Sequence, residues 1–196
     1  MFITLDGCDG AGKTTQIQLL AEWIRSVGRT VTLCRDPGGT LLGEKLRSIL
    51  LRGWEIPIHP RTEMFLYMTS RSQLVEEVIR PALERGDVVL SDRFVLSNIV
   101  YQGYGFGPSE PMGCQPDEIV LDVSVETTLE RLRRTGKTPD RLESRGRTFF
   151  ERIRDGFQRE VGHDGTYHMI SAEGPVEEVH ERIRNVIERN AVLTNG

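Results

Sequence analysis

The sequence predicts an α/β domain, a parallel β-sheet with helices on both of its faces. Short β-branched or apolar runs alternate along the chain with longer segments of helical periodicity. No internal repeat, low-complexity tract or shift in composition divides the 196 residues, so 1–196 read as one domain. Residues 1–5 form a short buried strand that runs straight into glycines. Residues 13–27 carry Ile17, Leu20 and Ile24 at helical spacing and stop at Gly28. Residues 30–34 read as a second strand, and 40–52 as a helix ended by Gly53. A long helix over 61–85 is kinked or restarted at Pro81, with Gly86 at its end. The third strand is 88–91, and a helix opens over 94–101. A fourth strand, 118–123, leads into a helix over 126–135; 149–160 is helical again. Residues 167–171 make the last strand and 176–190 the closing helix. Five strands linked by helices form a doubly wound sheet, whose ligands sit outside the carboxyl ends of its strands.

Composition narrows the function classes. Lys plus Arg (25) against Asp plus Glu (29) gives a formal net charge of −4. That balance disfavours attraction to nucleic acid or an anionic membrane surface. Hydrophobic residues at 38% and charged residues at 28% describe a folded, globular chain. No stretch approaches the roughly 18 apolar residues of a spanning helix, and MFITLDGCDG shows neither a basic start nor a cleavage pattern. Cys8, Cys34 and Cys114 lack the pairing of a disulfide framework and the spacing of a zinc site, so a cytoplasmic location is expected. Glycine is in excess, at 20 residues.

Part of that excess lies in Gly7-Cys8-Asp9-Gly10-Ala11-Gly12-Lys13-Thr14, which fits G-x-x-x-x-G-K-[ST], with Thr15 following. A strand precedes it and a helix starts within it, the context this phosphate-binding loop requires. Glycines let successive backbone N–H groups turn toward phosphate oxygens, and the helix N-terminus adds partial positive charge. Lys13 would reach the β- and γ-phosphates, and the Thr14 hydroxyl would hold Mg²⁺. The strand Val88-Val89-Leu90-Ser91 ends at Asp92, a candidate carboxylate for the same ion, and Arg93 beside it could meet a substrate phosphate.

No N-K-x-D segment for guanine recognition is present, and the chain is small for a motor. A small-molecule kinase needs a second anion site and a lid that excludes water. Arg35-Asp36-Pro37-Gly38-Gly39-Thr40 follows the second strand and supplies a cation on flexible backbone. Between Arg131 and Arg154, nine basic side chains stand against three acidic ones, and Gly136, Pro139 and Gly146 interrupt the helical pattern. A basic segment broken in this way suits a lid at about 136–148. Within the stretch Arg131, Arg133, Arg134 and Arg152 read as a solvated, ion-paired helix face.

Taken together, the motifs resemble the thymidylate kinase family of nucleoside monophosphate kinases, within the P-loop NTPases. The carriers are LDGCDGAGKTTQ (5–16), RDPGGT (35–40), LGEKLRSILL (42–51), EMFLYMTSRSQ (63–73), EEVIRPALERGDVVLSDRF (76–94), SNIVYQGYG (97–105), PDEIVLDV (116–123) and PDRLE (139–143). The resemblance implies a five-stranded parallel sheet and transfer of the γ-phosphoryl of Mg-ATP to dTMP, giving dTDP and ADP. It implies Mg²⁺ as the cofactor, ATP and dTMP as the small-molecule partners, and a homodimer formed through helices. Asp9 resembles the carboxylate that serves the deoxyribose 3′-hydroxyl. Tyr67 stands where an aromatic ring stacks on thymine, and Arg71 resembles the arginine that bonds the thymine edge. Arg93, helped by Arg35, resembles the clamp on the dTMP phosphate, while Ser97, Asn98 and Gln102 match polar positions around the pyrimidine. Gly10 places the chain in the arrangement whose catalytic arginine comes from the lid, so Arg141 and Arg145 are the candidates, with Arg147 in reserve. Two departures stand out. Asp36 replaces the family's usual Glu, and only PSEPMGCQ lies between Gly107 and Pro116, where a longer helical segment is usual. Either the pocket wall is trimmed there or a stretch is missing from the chain. A kinase for another small phosphate acceptor and a nucleotide-binding regulator are the alternative functions.

Overall fold

The computed structural model describes residues 1–52, 57–102, 116–136, 140, 142–161 and 167–190. Five strands, β1 (Phe2–Gly7), β2 (Val31–Arg35), β3 (Val88–Asp92), β4 (Asp117–Asp122) and β5 (Tyr167–Ser171), form one sheet in the order β2-β3-β1-β4-β5. Every pairing is parallel, with Ile3 against Leu90 on one side of β1 and against Asp117 on the other. All five predicted strands are present, and the parallel sheet is as expected.

Helices cover both faces because alternate strand residues are apolar on both sides. On one face Ile3, Leu5, Leu90, Ile119 and Leu121 pack against α1 (Lys13–Ser26), through Ile17, Leu20 and Ile24. Helix α8 (Val176–Asn190) joins them through Val179, Ile183 and Ile187. Each such side chain contributes about 1.5–3 kcal/mol by leaving water. Before the opposite face come α2 (Leu41–Arg52) and α3 (Pro60–Leu74), which pack on each other. That face holds two clusters, Phe2, Leu74, Ile79, Val89 and Phe94 in one, Leu96, Val100, Val120, Phe150, Ile153 and Phe157 in the other.

The long helix expected over 61–85 is three segments. Helix α3 runs to Leu74, a π-helical turn spans Val75–Ile79, and α4 (Arg80–Glu84) follows. The interruption lies upstream of Pro81. Proline removes one N–H and its ring collides with the carbonyl four residues back, that of Glu77, so the wider turn forms where that carbonyl must give way. The remaining helices are α5 (Val95–Gln102), α6 (Val125–Arg134) and α7 (Arg147–Val161), with a short 3₁₀ turn at Glu143–Arg145. Ser124 caps α6 by accepting from the Thr127 N–H at 3.1 Å. No helix among the described residues is long and apolar enough to cross a membrane.

Candidate active site

The glycine-rich loop leaves the carboxyl end of β1, the central strand of the sheet. Gly7 has φ +128°, and a Cβ there would stand 2.4 Å from the Leu121 carbonyl oxygen, so only glycine lets the loop lie this close to β4. Gly12, at φ +93°, precedes α1 without any side-chain cap, which leaves the first N–H groups of the helix available to an anion. Lys13 folds back over the loop, donating from Nζ to Gly7 O at 3.2 Å and Cys8 O at 2.8 Å. Burial, then the Arg93 charge, hold its ammonium below its usual range, against the pull of Asp9 and Asp92. The Thr14 hydroxyl donates to Asp92 Oδ2 at 3.0 Å, so the two candidate metal ligands, 78 residues apart, meet at the loop. Cys8 buries its thiol in the α5–α7 cluster, which pushes its pKa up to about 11.

Beside the loop opens a cleft that encloses about 490 Å³ of space, its open mouth included. Asp9, Asp36, Arg47, Tyr67, Arg71, Arg93, Ser97, Asn98 and Tyr101 line it. Arg93 stands between loop and cleft. Its backbone is left-handed, φ +71°, held by its N–H donating to Leu5 O and its carbonyl accepting from Ser91 Oγ. From the side chain, Nη1 donates to Gly7 O and Ser97 Oγ, each at 2.9 Å. Nη2 donates to Asp9 Oδ1 at 2.5 Å and to the Tyr101 hydroxyl at 3.3 Å. Tyr101 donates in turn to Asp9 Oδ2 at 3.1 Å. Burial alone would push the Asp9 carboxyl up, but the charges of Arg93 and Lys13 outweigh it and hold the group below its ordinary range. On the far wall Arg71, one turn beyond Tyr67 on α3, donates from Nε to Asp36 Oδ2 at 2.5 Å, from Nη1 to Asn98 Oδ1 and from Nη2 to Phe94 O.

A sequence profile of the thymidylate kinase family matches residues 5–183. Among curated relatives, the thymidylate kinase of Rhodopirellula baltica is 44% identical over 193 residues, covering 92% of this chain and 77% of that protein. That of Thermosipho africanus is 37% identical over 201 residues, covering 97% and 98%. The crystal structure of thymidylate kinase from Ehrlichia chaffeensis superposes with a TM-score of 0.73 at 30% identity, over 95% of this chain and 97% of that one. The chain belongs to the thymidylate kinase family.

The residues expected around the substrate divide into three groups. Asp9, Tyr67, Arg71, Arg93, Ser97 and Asn98 meet in the cleft. Arg35 does not. It is 51% exposed and donates to both carboxylate oxygens of Glu44, from Nε at 3.2 Å and from Nη2 at 2.8 Å. Arg141, the Gln102 side chain and the PSEPMGCQ link at 108–115 lie outside the described residues. Of the other arginines expected in a lid, the Arg145 guanidinium carbon sits 5.2 Å from the Phe149 ring centroid, and Arg147 pairs with Glu126 and Glu151 on the surface.

Several residues at the site were not foreseen. Arg47 donates from Nη1 to Pro37 O at 2.8 Å and brings a cation to the cleft wall. Its signal in the sequence was a charge beside Gly43, Leu46 and Leu50, the buried side of α2. Tyr101 stands one helical turn on from Ser97 on α5, so that both face Arg93. Arg131, expected among solvated ion pairs, instead donates to Gly10 O at 3.3 Å and Ala172 O at 3.0 Å, joining the phosphate loop to the end of β5. The placement of α6 over the loop, which periodicity cannot reveal, makes the difference. Arg134 fits the expectation, 3.7 Å from Glu130.

Proposed function

We infer that this enzyme transfers the γ-phosphoryl group of ATP to dTMP, giving dTDP and ADP, in the service of dTTP synthesis. The observation that carries this reading is Arg93, which touches the phosphate loop at Gly7 and Asp9 and at the same time lines the cleft holding Tyr67 and Arg71. Donor and acceptor phosphates would thus meet on one guanidinium, and phosphoryl transfer is chiefly positioning and charge stabilisation.

ATP would place its phosphates in the loop, on the free N–H groups of α1 and on Lys13, which would exchange its carbonyl partners for phosphate oxygens. Thr14 and Asp92 are the hard oxygen donors that would hold Mg²⁺. No group of three or more His, Cys, Asp or Glu side chains able to hold a metal occurs among the described residues. A Mg²⁺ completed by water and phosphate oxygens needs none. Held there by Thr14 and Asp92, the ion would supply positive charge against the charge that develops on the transferring phosphoryl group. In the cleft, Tyr67 would stack on the thymine ring, Arg71 and Asn98 would bond its edge, and Asp9 would accept from the sugar 3′-hydroxyl. Arg47 and Arg93 would receive the dTMP phosphate. The basic segment at about 136–148 would close over the reacting groups, with Arg141 or Arg145 stabilising charge on the γ-phosphoryl.

A homodimer belongs to the same reading. Helices α2 and α3 expose Leu41 (88%), Ile49 and Phe65 (53%), apolar surface suited to a second copy. Light scattering after size exclusion measures it. A cytoplasmic location suits the free thiols of Cys8 and Cys34. The deciding experiment is phosphorylation of dTMP, dUMP, dCMP and dAMP with Mg-ATP. dTMP is expected to be the preferred acceptor. Equal turnover of all four, or none of dTMP, refutes the reading.

A further inference from the structure

Arg93 has five N–H donors, and four of them are committed: both on Nη1, to Gly7 O and Ser97 Oγ, and both on Nη2, to Asp9 and Tyr101. The two edges differ. The Nη2 side lies on Asp9, a quarter exposed, and can exchange partners with an incoming phosphate. The Nη1 side is anchored to the backbone of the phosphate loop and to Ser97 on α5. Ser97 has a single proton, and that proton goes to Asp6 Oδ1. Asp6, the last residue but one of β1, is a carboxylate with no exposed surface, and it does not line the cleft.

We propose that Asp6 is a positioning residue for Arg93, acting through the Ser97 hydroxyl. By taking the Ser97 proton it turns the lone pairs of Oγ toward Nη1, and a rotor that could point several ways is held in the one orientation that receives the guanidinium. Nη1 becomes a fixed pivot, while Nη2 and Nε form the edge that meets phosphate. A phosphate arriving on that edge displaces Asp9 from Nη2 without moving the pivot, and Asp9 is released as the phosphate is gripped. This last step rests on the proposed role of Arg93 as a phosphate ligand; the relay itself does not.

The energetics of Asp6 favour positioning over stability. Burial pushes its carboxyl up, and the Ser97 hydrogen bond and the Arg93 charge only partly offset this. No hydrogen bond of normal geometry reaches its buried Oδ2, and the neighbouring Thr4 hydroxyl adds only the smallest of the pulls that favour the charged form. A buried acid so poorly compensated is a burden on the fold, and a neutral side chain of the same size would be cheaper.

The test compares wild type with Ser97→Ala, Ser97→Thr, Asp6→Leu and the Asp6→Leu/Ser97→Ala double variant; Leu has the branched shape of Asp and no acceptor for the Ser97 hydroxyl. Ser97→Ala and Asp6→Leu are expected to raise KM for dTMP about tenfold, with KM for ATP unchanged within about twofold, and Ser97→Thr to restore most of the loss. The double variant should be no worse than Ser97→Ala alone, because both changes cut one relay. Thermal unfolding should show the double variant, which removes the buried acid and its hydroxyl together, at least as stable as wild type, which a merely structural carboxylate would not allow. An unchanged KM for dTMP in Ser97→Ala, a failed Thr rescue, or losses that multiply in the double variant overturn the relay. Should Asp6→Leu not fold, the two Ser97 variants still decide. The Arg93 guanidinium supplies a readout that needs no turnover: its Nη1 and Nη2 resonances should be distinct in wild type and averaged in Ser97→Ala. Distinct resonances in both would overturn the relay, even if wild type proved inactive on dTMP and the function reading alone had failed.

Discussion

Replacing Asp36 by Ala removes the carboxylate that Arg71 Nε holds at 2.5 Å, in a pair whose side chains are 1% and 3% exposed. Arg71 would keep Asn98 Oδ1 and Phe94 O, both neutral, and its charge would be buried with no counter-ion beside it. Stranding one member of a buried pair costs about 3–5 kcal/mol, out of a total stability of about 5–15 kcal/mol. With a urea slope of about 2 kcal/mol per M, the midpoint should fall by about 1.5–2.5 M. Asp36→Asn keeps the acceptor and the size, so less than half of that loss is expected. The pH dependence separates the two effects. Burial raises the Asp36 carboxyl above its ordinary 3.8 in spite of Arg71. A carboxyl raised in the folded state contributes stability that is complete below its unfolded value and is lost as pH rises through the folded one. Asn carries no such dependence, so the deficit of Asp36→Asn relative to wild type should shrink as pH rises from 3.8 through that window. Urea titrations at several pH values measure both. A midpoint shift below about 0.5 M for Asp36→Ala, or an Asn deficit that grows with pH, refutes the account of this pair.

Lys13→Ala should abolish turnover, by at least about 10³-fold in kcat, with circular dichroism and melting close to wild type; a variant with more than a tenth of wild-type kcat removes Lys13 from the chemistry. One of Arg141→Ala and Arg145→Ala should lose on the order of 10³ in kcat, and full kcat in both dismisses the lid assignment. Arg47→Ala should raise KM for dTMP more than Arg35→Ala, because Arg47 lines the cleft while Arg35 is spent on Glu44; the reverse order in steady-state kinetics contradicts this. Burial raises both the Cys8 and Cys34 thiols to about 11, so in a Cys114→Ser background alkylation at pH 8 should run about a hundredfold slower than for a free cysteine and quicken about tenfold per pH unit. Labelling at the free-thiol rate would show that these thiols are not buried as described.

How far the site could be read from the chain depended on how local each feature is. The phosphate loop was legible because strand, glycines, lysine and helix start fall within residues 2–15, and neighbouring backbone dictates their geometry. Tyr67 and Arg71 were legible as a pair because one helical turn separates them. Asp9 and Arg93 lie 84 residues apart, and their contact exists only because β1 and β3 are neighbours. Asp6 and Ser97 lie 91 residues apart and meet only because α5 packs against β1. The same dependence separates two neighbouring arginines. Arg35 and Arg47 are both basic residues near the glycine-rich RDPGGT, and only the packing of α2 turns one to Glu44 and the other to the cleft.

By itself, then, the sequence determined the strands and most of the helices, the phosphate loop and the order of the family motifs, since these follow from side-chain periodicity and backbone sterics over a few residues. The sheet order, the cleft, and the choice of which carboxylate holds which arginine were decided by the tertiary structure. A guanidinium takes whichever acceptor lies within about 3 Å in the right direction, and that distance is set by how whole elements pack, which no stretch of chain carries alone.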